Sequence, residues 1–171
     1  EMAAEMGLEV DYAVFHYTQV LQTLVGDGRL NLGSVDRTVT YHDPCHLGRY
    51  NGVFETPRDV VRATGADLVE MPRNRKDSFC CGGGGGGLWL DQDEHTKPSE
   101  ERLREATEDT ERVPEQFVVA CPMCATMYED GRKTGGFEDE LEIVDVSELV
   151  VEALDARAGA SSAGTTPSAA D

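Results

Sequence analysis

Along this chain the apolar positions keep two different periods, and the switches between them mark out the elements. From Tyr12 to Val25 a stripe of Val14, Phe15, Thr18, Leu21, Leu24 and Val25 has helical spacing, and Gly26-Asp27-Gly28 ends it. Thr38 to His42 reads as a short strand closed by Pro44. Thr56 to Ala63 reads as a helix with Thr56 as N-cap, Pro57 at its first position and Gly65 past its end. Asp67 to Met71 reads as a strand. Ser99 to Arg112 reads as a charged helix capped by Ser99, with Arg102 where a capping box prefers Glu. Gln116 to Ala120 has the composition of a buried strand, and Cys124 to Lys133 reads as a helix. A strand from Glu142 to Val146 leads into a helix from Ser147 to about Arg157. Gly159 to Asp171 is small and polar, as in a disordered tail. Strands alternating with helices predict an α/β domain with a mostly parallel sheet and flanking helices.

The five cysteines fall at Cys45, at the adjacent pair Cys80-Cys81 and at Cys121-Pro122-Met123-Cys124, a pattern C-x34-CC-x39-CxxC. Groups so far apart meet only in a folded domain. Cys45 and Cys121 each follow a predicted strand, and Cys80-Cys81 lies in the loop after a third. Open α/β folds gather ligands beyond the C-terminal strand ends, so three segments should bring their thiols to one sheet edge. Disulfides fit poorly, because an odd count leaves one thiol over and a chain of this length needs no staples. A structural zinc ion takes four ligands and adjacent cysteines chelate one tetrahedral ion poorly. A zinc-stabilised, non-catalytic interaction module using four of the five stays open as the alternative. Dithiol exchange at Cys121 and Cys124 is a third reading, although the surrounding strand pattern is not that of a thioredoxin. An iron–sulfur cluster has several irons, so adjacent thiolates can bind different irons. The ferredoxin run C-x2-C-x2-C-x3-C-P is absent, and five thiolates exceed the four of an ordinary cubane.

Six glycines, Gly82 to Gly87, follow Cys81 directly. Gly82, Gly83 and Gly84 are candidates for backbone that approaches a cofactor closely and donates N–H groups to it; a flexible linker is the plainer reading. Leu88, Trp89 and Leu90 should then open a helix whose N-terminus faces the site. No Gly-Lys-Ser/Thr follows, so a phosphate loop is not indicated. Arg49 and the knot of Arg73, Arg75 and Lys76 would offset negative charge at the site or steer an anionic partner, unless they are ordinary solvated ion pairs. His42 and His46 flank Cys45. His46, which follows it in the loop, is the better candidate for a proton relay, against a plain turn-capping role. His16 and His95 read as structural or exposed. Asp43-Pro44 should shape the turn into Cys45.

The segments Tyr41-His42-Asp43-Pro44-Cys45-His46-Leu47-Gly48-Arg49, Phe79-Cys80-Cys81-Gly82-Gly83 and Cys121-Pro122-Met123-Cys124 together resemble one copy of the cysteine-rich "CCG" domain, over about Val39 to Tyr128. That domain occurs in heterodisulfide reductase B- and D-type subunits and in the iron–sulfur subunits of glycolate, lactate and anaerobic glycerol-3-phosphate oxidoreductases. The resemblance implies a [4Fe-4S] cluster, in the heterodisulfide reductases a non-cubane one built of two fused smaller units. By position its ligands would be Cys45, Cys80, Cys81, Cys121 and Cys124. It further implies part of a larger oxidoreductase, inactive alone. Such an enzyme carries electrons to a disulfide or between a flavin and a quinone-side acceptor, with partners that bear flavin or ferredoxin-type clusters. Family members usually carry two copies of the motif, and this sequence has one. The division implied is a helical segment over 1–30 that continues from an upstream region, a cysteine-rich iron–sulfur domain over 31–157 and a tail over 158–171.

Charge narrows the partners. Acids outnumber bases 33 to 15, for a net charge of −18, and the lysines are only Lys76, Lys97 and Lys133. Such a surface repels nucleic acid and anionic membranes and suits a cytoplasm of high salt. No stretch approaches the roughly 20 apolar residues of a membrane span, and no signal peptide is evident. Free thiols point to the reducing cytoplasm, with the inner face of the membrane reached only through other regions or partner proteins.

Overall fold

The computed structural model describes residues 5–7, 11–90 and 97–163. The opening at 1–4, His95 and the tail from 164 lie outside the described residues. Four strands, β1 (Thr38–Tyr41), β2 (Asp67–Leu68), β3 (Gln116–Val119) and β4 (Glu142–Asp145), form one sheet in the order β2-β1-β3-β4 with every pair parallel. The expected α/β class and parallel sheet are therefore present. Among the described residues five α-helices accompany the strands: α1 (Tyr17–Gly26), α2 (Glu55–Ala63), α3 (Pro98–Glu108), α4 (Pro122–Gly135) and α5 (Val146–Ala163).

Alternation along β3 builds two cores. Val118 packs with Val60 and Val61 of α2 and Leu149, Val150 and Ala153 of α5. Phe117 and Val119 pack on the other face with Leu103 and Ala106 of α3 and Met127 and Tyr128 of α4. A strand covered on both sides has no polar face, which explains its apolar run.

From β1 the chain moves outward to β2, then returns past β1 to β3 and proceeds to β4. The direction of winding reverses between β1 and β3. In an open parallel sheet that reversal leaves a crevice beyond the strand ends, where ligands bind.

Several boundaries move for local reasons. The first helix starts at Tyr17 rather than Tyr12, because the His16 side chain caps it and Gln19 closes a capping box. Helix α2 begins at Glu55, one residue before the expected cap, and Phe54 occupies that place without a side-chain bond. Strand β2 is shorter than Asp67–Met71: Val69 N–H still reaches Val39 O at 2.9 Å, but Glu70 then turns to Arg58 and Pro72 has no N–H. In α3, Lys97 rather than Ser99 holds the cap position and Pro98 the first turn, while Ser99 and Arg102 are buried. Helix α4 starts at Pro122, so Cys121 is its cap residue and Cys124 sits in its first turn. Asp145 caps α5 through Ser147 N–H at 2.9 Å and Glu148 reaches back to Asp145 N–H at 2.7 Å; the helix continues past Arg157 to Ala163.

Candidate metal centre

The thiols gather at the reversal point. Cys45 leaves the end of β1 and Cys121 the end of β3, two strands hydrogen-bonded to each other. Cys80 and Cys81 arrive from the loop beyond β2. Cys81 and Cys124 are buried, and Cys45, Cys80 and Cys121 are partly buried. The Sγ atoms of Cys124 and Cys81 lie 3.5 Å apart. Cys80, Cys81 and Cys121 are all near enough to raise the pKa of Cys45, whose upward shift comes first from burial. Among the described residues no three His, Cys, Asp or Glu side chains surround a single ion position.

These thiols do not ionise alike. The Cys124 S–H stabilises thiolate at Cys121, whose pKa falls to about 5 with help from the first-turn amides of Met123 and Cys124 and from His46. The Cys124 S–H also lowers Cys81 to about 6, and Gly83 N–H contributes. Cys124, the donor to both, is pushed up.

Glycine brings backbone to the sulfurs. Gly82 N–H points at Cys80 Sγ, 3.4 Å away, from a backbone with φ of +85°. A Cβ on Gly83 would stand 2.8 Å from Met127 Cγ and 3.0 Å from Met123 Cγ. Gly84 has nothing within 4 Å of that position. The expected helix entry at Leu88 is instead a 3-10 turn over Gly84–Trp89 that kinks at left-handed Gly85 and Gly86. The helix that presents its N-terminus to the thiols is α4.

The turn into Cys45 is held from below. Arg58, wholly buried, donates Nη1 to Asp43 Oδ1 at 2.6 Å and Nη2 to Asp43 Oδ2 at 2.8 Å, and its Nε meets Glu70 at 2.6 Å. Arg75 N–H adds a bond to Asp43 Oδ2 at 2.7 Å. Arg73 and Arg75 are paired with Glu105 and Glu55, so two of the three basic residues of the knot are structural, whereas Lys76 is exposed. Arg49 Nη2 donates to Ser78 O, tying the Cys45 loop to the approach to Cys80. His42 is buried against Tyr128, with 3.1 Å from Nδ1 to the phenol oxygen, and burial holds its pKa well below the usual range. His46 is exposed and its ring lies 5.1 Å from that of Tyr50.

Beside Cys121 opens a cleft of about 530 Å³ lined by Val14, Phe15, Pro44, His46, Leu47 and Pro122, among others. Its lining contains no Asp, Glu, Lys or Arg, in a chain where acids number 33.

Comparison with protein-family models matches residues 39–129 to the cysteine-rich domain, CCG. The chain belongs to the cysteine-rich domain family. Its relatives include an EtfAB:quinone oxidoreductase of Syntrophomonas wolfei, 37% identical over 150 residues, which cover 85% of this chain and 21% of the relative. A probable membrane-anchored ferredoxin of Chromohalobacter salexigens is 41% identical over 87% of this chain and 22% of its own length. The D-type subunit of a dihydromethanophenazine:CoB–CoM heterodisulfide reductase from Methanosarcina acetivorans is 38% identical over 87% of this chain and 36% of its own. The cysteine-rich domain thus spans between a fifth and about a third of these relatives. No helix among its described residues is long and apolar enough to cross a membrane.

Sequence reading of this cysteine-rich domain missed three features. The extended arm with Val14 and Phe15 walls the cleft, although its spacing suggested a helix. Tyr128, one helical turn after Cys124, lies buried beside the thiols; that i+4 spacing on α4 was the available signal. Arg102 is buried within a segment whose composition reads as solvated.

Proposed function

We propose that this chain is an iron–sulfur electron-transfer domain of a larger oxidoreductase, and that Cys45, Cys80, Cys81, Cys121 and Cys124 hold one [4Fe-4S] cluster of the non-cubane kind. The observation that carries this reading is the gathering of five thiols from three chain segments at the reversal point of the sheet. The donor set fits: soft thiolates, two of them with depressed pKa, and glycine N–H groups directed at sulfur. Gly82 and Gly83 let the backbone close on the cluster, with Gly84 lying beside it on the open side. Bound there, the cluster supplies one-electron transfer.

The protein's own part is to hold the thiolates, keep the turn at Asp43 fixed and leave the uncharged cleft beside Cys121 open to an electron acceptor. His46, on the rim of that cleft, delivers the accompanying proton. The names of the relatives support two acceptors, a heterodisulfide and a quinone, and one relative is named a ferredoxin; partner proteins or domains bearing flavin or ferredoxin-type clusters belong to the same reading. The charge of −18 with few lysines supports a cytoplasm of high salt, without nucleic-acid partners.

Anaerobically purified protein tests the reading. About four iron and four acid-labile sulfide per chain are expected, with visible absorption and a paramagnetic signal in one redox state. Stoichiometric zinc without sulfide and a colourless protein would establish the zinc-stabilised module instead.

A further inference from the structure

We propose that Cys81 and Cys124 close into a disulfide when the chain carries no cluster, and that this bond is a redox gate on cluster loading. The gate rests on the iron–sulfur reading above; the bond does not. The two Sγ atoms lie 3.5 Å apart, in direct contact, and the residues are 4% and 2% exposed. A disulfide brings its sulfurs to about 2.0 Å. The remaining approach falls to Cys81, because Cys124 is held in the first turn of α4. Cys81 is followed by Gly82, at φ of +85°, and by Gly83, so the backbone that must shift carries no side chains.

The rival pair is Cys121 and Cys124. In a folded chain proximity, not separation in sequence, decides which pair closes. A bond between Cys81 and Cys124 spans 43 residues and ties the glycine loop to α4, whereas one between Cys121 and Cys124 stays within a single helical turn. The longer closed loop restricts the unfolded chain more, and so favours the folded, bonded form.

Buried thiols do not meet a dissolved oxidant directly. Cys121 does, since it is only partly buried and lines the open cleft of about 530 Å³. The oxidant is a small disulfide, RSSR. Cys121 attacks one of its sulfurs, forms a mixed disulfide and releases one RSH. Cys124, in hydrogen-bonding contact with both Cys121 and Cys81, attacks the Cys121 sulfur and releases the second RSH. Cys81 then attacks Cys124, and Cys121 leaves as a free thiol. Two protein thiols lose two electrons and two protons, and the small disulfide gains them as two thiols. Only Cys45, Cys80 and Cys121 then remain as thiols. A cluster is left short of ligands, so the chain stays empty until a dithiol reopens the pair.

The test starts from the whole chain, freed of metal and reduced under argon. It is incubated with oxidised glutathione, its remaining thiols are blocked with iodoacetamide, and its unreduced peptides are read by fragmentation mass spectrometry. The expected product is one link, Cys81 to Cys124, with Cys45, Cys80 and Cys121 alkylated. Its melting temperature should exceed that of the reduced, metal-free chain. Cys80→Ser should keep the link, and Cys121→Ser should form it about tenfold more slowly. A final link between Cys121 and Cys124 or between any other pair, or five free thiols, overturns the proposal. The linked chain is then given ferrous iron and sulfide. It should take up about tenfold less of both than the reduced chain, and recover after dithiothreitol. Equal loading with and without the link overturns the gate. A reduced chain that loads no iron and sulfide sinks the iron–sulfur reading and the gate with it, whereas the peptides alone decide the bond.

Discussion

Arg58 grips Asp43 at two points, Nη1 to Oδ1 and Nη2 to Oδ2, and neither side chain is more than 2% exposed. The pair sits two residues before Cys45 and fixes the exit of β1. Arg58→Met leaves the Asp43 carboxylate buried without its partner, which should cost about 3–5 kcal/mol. Denaturant titration of the cluster-free protein measures it. Arg58→Lys should also be strongly destabilising, because an ammonium cannot span Asp43 and Glu70 together. A midpoint equal to the parent's in both variants would show that the turn is held by other contacts.

Cys81→Ser and Cys124→Ser should each abolish the visible absorption of the proposed cluster and lower the melting temperature of what remains. When a site exists only in the folded state, its binding free energy adds to folding free energy. Unchanged spectra and melting in both variants count against a five-thiolate site.

Much of this site can be read from the chain because a parallel sheet converts strand ends into a shared edge. Cys45 and Cys121 each follow a strand, so their meeting needs only that the two strands be neighbours. The neighbour relation itself is not in the sequence: β1 and β3 are separated by β2 in the chain, and only tertiary packing reverses the winding between them. Arg102 was unreadable for another reason. Pro98–Glu108 carries Leu103 and Ala106 as its only apolar core residues, and the burial of Glu100, Arg102 and Glu105 depends on charges brought from Arg73 and hydroxyls from Thr134. Val14 and Phe15 misled because spacing reports which face an apolar residue takes, not whether the His16 cap has yet been passed.

In the cluster-free, reduced protein, Cys121 should react first with iodoacetamide. Its pKa of about 5 makes it largely thiolate at pH 7, whereas burial raises Cys45 and the shared proton raises Cys124. The labelling rate at Cys121 should fall as pH drops through about 5, since protonation removes the nucleophile. Peptide mass spectrometry reads each site. Equal labelling of Cys121 and Cys124 at pH 6 would mean that the thiols do not share protons in this way.

The glycines divide into those that need to be glycine and those that do not. Gly82→Ala forces a left-handed backbone on a residue with a side chain, at about 1–2 kcal/mol, and Gly83→Ala drives a methyl into Met127. Both should weaken cluster retention during anaerobic gel filtration, while Gly84→Ala should match the parent. A Gly84→Ala protein that loses its cluster as readily as Gly83→Ala would assign the run a different purpose.

Salt should stabilise the fold. The excess of 33 acids over 15 bases makes the chain repel itself across about 30 Å at 0.01 M ionic strength but only about 3 Å at 1 M. The melting temperature of the cluster-free chain should therefore climb from dilute buffer to molar potassium chloride, since surface charge and not the thiol site is responsible. A flat or falling curve would remove the high-salt reading.

The placement of the thiols on three distant stretches also has a mechanical consequence. A group bonded to Cys45, Cys80, Cys81, Cys121 and Cys124 at once closes two long chain loops, one around α2 and β2 and the other around α3 and β3. Neither loop can open while both its ends are tethered, so the bound protein should come apart in a single concerted event, whereas the unbound one can fray element by element.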